Sequence, residues 1–367
     1  MIRGRSFSMR NDTCQCRPDT NAETTSLDVS RREWLAAAGV SGMLGLVGVL
    51  GCQPAKVVEE AQKGRRLRAA FSNAGLAGTW NKLGYDAAKL WGDLLNVEVV
   101  WFDGEFNGQR QREKIELAAA EDWDFCAFQA HQIDILAEPC RRLKARGIPI
   151  IGMDTLIVPE NQLFETGVLV YVTPDHVKMA EQSTQYMVDK IGGKGKVIHI
   201  GGQSEHSGAQ DRARGFQNVI SKYPEIEVVG GGVRWCDWQT EKARNTFEVL
   251  LEQTQDRIAG AFFHNDDMAL ACVPSLKGTR HEGMVVTGVD GQRPGLLGVR
   301  DGLLAATSVN PAAMIHMYAL VIGQFIVRNQ EKFDRLLKIV LPCPLVSKES
   351  GNLDAILYLS DPKHCLV

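Results

Sequence analysis

Ten polar or aromatic side chains lie just beyond predicted β-strands, where a small ligand could be held. They include carboxylates, amides, a hydroxyl, a guanidinium and two indoles, so both hydrogen-bond donors and acceptors are present. A ligand rich in hydroxyl groups needs both, and its apolar faces pack against aromatic rings. The predicted ligand-binding set is Asn73, Thr79, Trp80, Gln129, Asp154, Arg212, Trp238, Asn265, Asp290 and Asn310.

Two of these residues end a repeated pattern. Residues 148–154 (IPIIGMD) and 284–290 (MVVTGVD) are both apolar runs that finish in Gly-x-Asp. Because ligands of open parallel sheets bind beyond the carboxyl ends of the strands, the repeat predicts two similar lobes with Asp154 and Asp290 facing one cleft. Aspartates at strand ends also cap helices or form turns, and this alternative applies to both residues.

Other members of the set also have structural alternatives. Arg212 falls in a predicted helix and could be a solvated charge, which is how we interpret its neighbour Arg214. Trp80 and Trp238 could pack in a hydrophobic core. Asn310 could cap the helix that follows it, a role that is compatible with ligand binding.

Short apolar runs alternate with longer amphipathic ones from residue 67 onward, which is typical of parallel sheets covered by helices. We predict strands at 67–71, 97–102, 124–128, 148–153, 197–201, 227–233, 260–263, 284–289 and 305–309. The predicted helices are 80–95, 109–120, 174–191, 209–223, 241–254 and 311–328. Pro174 and Pro311 are expected in the first turns of their helices, where a missing N–H is tolerated.

Metal binding, phosphate binding and catalysis have little support. His199, His206 and His264 fall near strand ends, but no pair has the spacing of metal ligands. Residues 201–208 (GGQSEHSG) match neither the phosphate-binding loop nor the dinucleotide-binding glycine pattern, and they contain no nucleophile elbow. Binding of a phosphorylated ligand by this loop is an open alternative. We therefore predict no metal site, no cofactor and no enzymatic activity.

The N-terminal region predicts export. Arg31 and Arg32 precede an apolar run, 35–50, and resemble a twin-arginine signal. The run is shorter than the roughly 20 residues that span a bilayer, and it leads into a lipoprotein-like box that ends at Cys52. We predict a signal segment at 1–52, lipid attachment at Cys52, a polar tether at 53–64 and a periplasmic or cell-surface location. An N-terminal anchor helix is the alternative, and Met1 or Met9 could be the start.

The composition of the chain argues against nucleic acid as a partner. The 41 Lys and Arg residues are balanced by 44 Asp and Glu residues, for a net charge of -3. Binding to a phosphate backbone requires a basic surface, which this balance does not provide. The nine cysteines contain no Cys-x-x-Cys pair, so a structural zinc site is not expected.

Five segments resemble the periplasmic sugar-binding proteins of the ribose-binding type. They are 171–175 (YVTPD), 207–216 (SGAQDRARGF), 264–270 (HNDDMAL), 289–291 (VDG) and 304–307 (LAAT), and the similarity covers about residues 65–350. The resemblance implies that Asp154, Arg212, Asn265 and Asp290 hold sugar hydroxyls. The resemblance also matches Trp80, together with Thr79, to the pair of aromatic residues in the family's first loop. Gln129 matches the family's amide after the third strand, and Asn310 matches its glutamine near the late hinge.

This sequence departs from the family pattern at two places. Thr155 stands where an arginine usually follows the first Gly-x-Asp, and the first loop keeps only one of two aromatic residues, Trp80. Both positions belong to the implied sugar site. Ribose itself is therefore not specified.

The resemblance also implies an α/β fold of two similar doubly wound parallel-sheet lobes joined by a three-strand hinge. The first expected lobe comprises residues 65–172 and 311–341, and the second comprises residues 173–310 and 342–360. The two lobes would close around the ligand. The expected function is capture of a monosaccharide or polyol for an ABC permease by a monomeric lipoprotein. A ligand sensor acting on a membrane receptor and, with less support, an exported α/β enzyme are the alternatives.

Overall fold

The computed structural model describes residues 64–361. The predicted signal segment, Cys52 and tether residues 53–63 lie outside this range. The strands of the described residues are β1 (Leu67–Asn73), β2 (Val97–Asp103), β3 (Phe125–Phe128), β4 (Ile150–Met153), β5 (Val168–Pro174), β6 (Gly195–Gly201), β7 (Ile226–Val228), β8 (Arg234–Trp235), β9 (Ile258–Phe263), β10 (Val285–Asp290), β11 (Ala306–Val309), β12 (Leu337–Leu341) and β13 (Leu345–Ser347).

Helices connect most of these strands. The α-helices of the described residues are α1 (Thr79–Leu94), α2 (Gly108–Ala118), α3 (Ala137–Ala145), α4 (Leu163–Thr166), α5 (His176–Ile191), α6 (Ser207–Ile220), α7 (Thr240–Gln253), α8 (Asp266–Cys272), α9 (Arg293–Asp301), α10 (Ala312–Asn329) and α11 (Leu353–Leu359). Short 3₁₀ helices occur at Glu160–Gln162 and Val273–Leu276. No helix among residues 64–361 is long and apolar enough to cross a membrane.

The strands form two sheets. The first is parallel throughout and has the order β12-β5-β4-β3-β1-β2. The second has the order β13-β11-β10-β9-β6-β7, with β8 also paired to β6, and only β13 is antiparallel to its neighbour within it. The predicted fold class, two similar α/β lobes built on parallel sheets, is confirmed.

Helices bury both faces of each sheet because the central strands are apolar on both sides. In the first sheet, Phe125 packs with Trp91 of α1 and Leu320 of α10, whereas Phe128 packs in a separate cluster on the opposite face. In the second sheet, Phe263 faces the α7 side and Phe262 belongs to the cluster against α5 and α6. This two-sided burial keeps the strands rigid and places their carboxyl ends precisely.

The structure corrects several element predictions. Of the predicted strand 227–233, only the end of β7 is a strand, because Gly230, Gly231 and Gly232 adopt positive φ and turn the chain before β8 begins at Arg234. β5, β12 and β13 were missed. β12 and β13 lie at sheet edges, and an edge strand such as β12 keeps an exposed face and carries little periodic signal. Pro174 ends β5 and Asp175 caps α5, so the expectation of a first-turn proline was wrong there.

The chain passes between the sheets three times. It leaves the first sheet after Pro174, returns through Asn310 into α10, and crosses again between Leu341 and Leu345. We propose lobes of 65–172 plus 311–341 and of 173–310 plus 342–360 on this basis.

Candidate functional site

The carboxyl ends of the two sheets face a common cleft. Asp154 directly follows β4 and Asp290 is the last residue of β10. Both have positive φ, 60° and 113° respectively, a region that costs a non-glycine residue about 1–3 kcal/mol. Strain of this kind persists where the surrounding structure holds it, and it concentrates at ligand sites.

A pocket in this cleft is lined from both sheets, and its cavity volume is about 50 Å³. The predicted residues that line the pocket are Trp80, Gln129, Asp154, Arg212, Trp238, Asn265, Asp290 and Asn310. Thus the fold brings together every member of the predicted set except Asn73 and Thr79.

Asp154 is the centre of a buried hydrogen-bond network. Gln129 Nε2 donates to its Oδ2 at 2.9 Å, and Asn310 Nδ2 donates to its Oδ1 at 3.1 Å. His176 Nε2 lies 3.3 Å from Oδ1 and 3.1 Å from the Asp154 carbonyl oxygen. Burial alone would raise the pKa of Asp154, but His176 and Arg212 outweigh it and hold the pKa below its ordinary range. The carboxylate is therefore ionised at neutral pH.

Arg212 is the matching centre in the second lobe. Its Nη2 donates to Asp290 Oδ1 at 3.1 Å, and its Nη1 donates to the carbonyl oxygen of His264. Its Nε is buried and has no hydrogen-bond partner among residues 64–361. The guanidinium also lies 5.6 Å from the ring of Trp238, a cation–π distance. Arg212 is thus a pocket residue and not a solvated helix charge.

Aromatic rings form two sides of the pocket. Trp80 donates from Nε1 to the carbonyl oxygen of Asn310 at 3.2 Å, which fixes the plane of its ring. Trp238 packs edge-on to His206 with centroids 5.0 Å apart. Gly202 lies directly beneath Trp238, since a Cβ there would come within 2.3 Å of the indole. Both tryptophans are therefore held in place while each presents part of its ring to the pocket.

A model of the periplasmic binding protein domain matches residues 69–330, more than half of the chain. The chain belongs to this family. A xylitol-binding protein of Mycolicibacterium smegmatis is 27% identical over 237 residues, which cover 64% of this chain and 65% of that protein, just under two thirds of its length. A ribose import binding protein of Salmonella typhimurium is 24% identical over 259 residues, covering 70% of this chain and 84% of that protein.

Solved structures of periplasmic binding proteins share the fold. An ABC transporter solute binding protein from Bacillus halodurans, solved with bound myo-inositol, superimposes with a TM-score of 0.71 at 16% identity. The match covers 80% of this chain and 98% of that protein. Together with the two parallel sheets, this likeness identifies the type 1 periplasmic binding protein fold.

Two predicted site residues lie outside the pocket lining of this periplasmic binding protein. The side chain of Asn73 is fully buried, and its Nδ2 donates to the carbonyl oxygen of Asn81 at 2.9 Å. It holds the first turn of α1 and does not line the pocket. Thr79 instead joins the lobes, because its backbone N–H and Oγ1 donate to the two carboxylate oxygens of Asp267 at 3.0 and 2.7 Å.

The pocket also contains residues that sequence reasoning missed. The polar and aromatic ones are Asn81, Phe106, His206 and Asp267. Asp267 lies in the family-like segment 264–270 and could have been found there, and His206 lies in the glycine-rich loop 201–208. Phe106 carries no such signal, since it reaches the pocket through a turn in which it adopts a φ of 50°.

The histidines near the pocket form buried hydrogen bonds. His199 and His264 join through their Nε2 atoms at 2.8 Å, and His264 Nδ1 accepts from the N–H of Gly202 at 3.2 Å. No group of three potential metal ligands occurs in the described part of the chain. These contacts position the carbonyl oxygen of His264 against Arg212.

The buried ionisable groups predict how stability depends on pH. Burial raises the pKa of Asp290 to about 7, although Arg212 opposes this shift. Burial lowers the pKa of His199 and that of His206 to about 3. Folding therefore favours the protonated aspartic acid and the neutral histidines. The aspartic acid and the histidines therefore change stability in opposite directions as the pH rises.

Between about pH 6.5 and 8, the free energy of unfolding of the unmodified protein should fall by about 1 kcal/mol relative to that of Asp290→Asn, because folded Asp290 releases its proton there and the histidine contribution is common to both proteins. Below about pH 6.5, both proteins should lose stability, because unfolded histidines take up protons that the buried ones do not. Urea unfolding of both proteins across this range measures the difference. A difference that stays constant from pH 6.5 to 8 would contradict the assignment.

Proposed function

We propose that this protein is an extracytoplasmic solute-binding protein that captures a monosaccharide or related polyol and delivers it to an ABC-type permease. The observation that carries the proposal is the pocket between the lobes, which combines carboxylates, amides, a guanidinium and indole faces from both sheets. The relatives named for xylitol and for ribose import support the same ligand class.

The chemistry of the pocket suits hydroxyl groups. Each hydroxyl both donates and accepts, and an unpaired buried polar group costs about 1–3 kcal/mol. Asp154 and Asp290 provide acceptors, whereas Arg212 and the amide of Asn265 provide donors. Trp80 and Trp238 offer flat surfaces for the C–H faces of a ligand. A ligand with a missing or misplaced hydroxyl would leave one of these groups unpaired and would be rejected.

We propose that binding closes the lobes about the three crossings. Contacts across the cleft support a closed state: the N–H of Ile133 donates to the Glu205 carbonyl oxygen at 3.2 Å, and the N–H of Leu156 donates to Ser207 Oγ at 2.9 Å. The Thr79–Asp267 pair adds a third contact. A ligand favours closure only through its higher affinity for that state, so contacts from both lobes are required.

The delivery and location parts of the proposal rest on the sequence and the family. We propose that residues 1–52 direct export, that Cys52 carries lipid and that residues 53–64 tether the domain. The alternative is that the ligand-bound protein acts on a membrane signalling receptor. It has a different protein partner but requires the same ligand chemistry.

The first test is thermal unfolding of the full chain, purified in mild detergent, with pentoses, hexoses, polyols, sugar acids and sugar phosphates. A ligand at 100 times its dissociation constant should add about 2.7 kcal/mol, or about 4 °C in melting temperature. Small-angle scattering with the same compound should show a smaller radius of gyration. Recovery of the ligand unchanged after long incubation distinguishes binding from catalysis. No shift with any compound, from folded protein stripped of carried-over ligand, would reject the proposal.

A further inference from the structure

The charges that line the pocket are not balanced. Three carboxylates, Asp154, Asp267 and Asp290, face it, and Arg212 is the single lysine or arginine among the described lining residues. Asp290 already pairs with Arg212 at 3.1 Å. The charges of Asp154 and Asp267 are left without a cationic lysine or arginine in the lining.

The neutral groups around Asp154 do not supply the missing charge. Gln129 and Asn310 are amides, and they donate to the carboxylate without carrying charge. His176 contacts Asp154 through Nε2 at 3.3 Å from Oδ1, but it is not one of the residues that line the pocket.

His206, the remaining titratable group of the lining, is also neutral. The ring is buried, and its Nδ1 accepts a hydrogen bond from the N–H of Ala209 at 3.2 Å. That bond places the ring proton on Nε2 in the neutral tautomer. Burial lowers the pKa of His206 to about 3, so the ring carries no charge at neutral pH.

Unused acceptors lie beside the excess negative charge. Asn310 is 1% exposed, and its Oδ1 has no hydrogen-bond partner in the described chain, although its Nδ2 donates to Asp154. Among residues 64–361, Asp154 Oδ2 accepts a single hydrogen bond, from Gln129, and so can accept another. A ligand group placed here would have to donate hydrogen bonds and accept none.

An ammonium group meets all of these conditions. It has three donors, no acceptor and the positive charge that the lining lacks. Indole faces such as those of Trp80 and Trp238 also attract cations. We propose that the natural ligand is an amine-bearing sugar or polyol whose ammonium group is bound beside Asp154 and Asn310. This inference rests on the proposed function and specifies its substrate class.

The test compares matched ligands of different charge. Isothermal titration of the full chain is carried out with D-glucosamine, D-glucose, N-acetyl-D-glucosamine and D-glucuronic acid, at a pH below the amine's pKa, and with the corresponding galactose series. We expect the amine to bind at least about 10-fold more tightly than the neutral sugar, because charge-assisted hydrogen bonds are roughly twice as strong. The acid should bind about 100-fold more weakly than the neutral sugar.

Two variants separate charge from lobe closure. Asp267→Asn removes one negative charge of the lining and should reduce the preference for amine over neutral sugar by at least about 3-fold. Thr79→Val removes a cross-lobe hydrogen bond and no charge, so it should weaken both ligands equally and leave the ratio unchanged.

The outcomes distinguish this inference from the function on which it rests. An amine preference that falls in Asp267→Asn and not in Thr79→Val supports the inference. A neutral sugar or polyol that binds as tightly as its amine overturns it and leaves sugar binding intact. If no compound of any charge binds, including the pentoses and polyols of the first panel, the proposed function itself fails.

Discussion

Replacing Arg212 with alanine is expected to abolish ligand binding and to lower the free energy of unfolding by about 3–5 kcal/mol. The side chain is 4% exposed and holds both Asp290 and the carbonyl oxygen of His264. Removing the guanidinium leaves Asp290 and the carbonyl oxygen of His264 buried without their donor, which accounts for the size of the loss. Urea unfolding measures the stability, and calorimetry with the ligand found in the panel measures the affinity.

Arg214→Ala is the matched control. Arg214 lies on the same helix, but its side chain is 61% exposed and pairs with Asp211 at the surface. Exposed ion pairs contribute little, so this variant should change stability by less than about 1 kcal/mol and should bind ligand normally. If the two variants behaved alike, Arg212 would not have the role assigned to it.

Asp154→Ala is expected to weaken ligand binding at least about 100-fold and to destabilise the protein by about 2–4 kcal/mol. The substitution removes the acceptor for Gln129 and Asn310 and leaves two buried donors unpaired. The loss of binding follows because both amides, which line the pocket, would lose their orientation. Titration calorimetry and urea unfolding of the purified variant measure the two effects.

Backbone conformation needs its own control, since alanine at a positive φ is strained. Asp134 has a φ of 68° in the same lobe but is exposed. Asp134→Ala should therefore report the cost of the backbone alone, about 1 kcal/mol, with unchanged affinity. Normal binding by Asp154→Ala would show that the Asp154 network does not hold the ligand.

Much of the fold could be predicted because its signals are local. The predicted helices 80–95 and 241–254 agree with α1 and α7 to within one residue at each end. A helix that packs one face on a sheet repeats its apolar residues with the helical period, and a short stretch of sequence is enough to show this pattern. β12 could not be placed this way. It is an edge strand in which the apolar residues Leu337 and Val340 are exposed. The order of apolar and polar residues along it therefore does not show which residues are buried.

Pocket residues that follow a strand could also be predicted. The carboxyl ends of parallel strands meet at one edge of a sheet. Asp154 and Asp290 reach the cleft because each stands at the carboxyl end of a strand, a position that the sequence pattern predicts. Gln129 follows β3 in the same way. The family-like segments added Arg212 and Asn265, and the structure places both in the pocket.

The sequence by itself thus determined the alternation of strands and helices, the two-lobed fold class and most of the pocket's polar and aromatic side chains, because periodicity and strand ends are properties of short segments. Only the tertiary structure decided which side chains face one another. Asn73 turns inward to Asn81, Phe106 enters through a turn with positive φ, and Asp267 reaches Thr79 across 188 positions of sequence. Such contacts depend on how the two lobes oppose each other, and no local pattern encodes that arrangement.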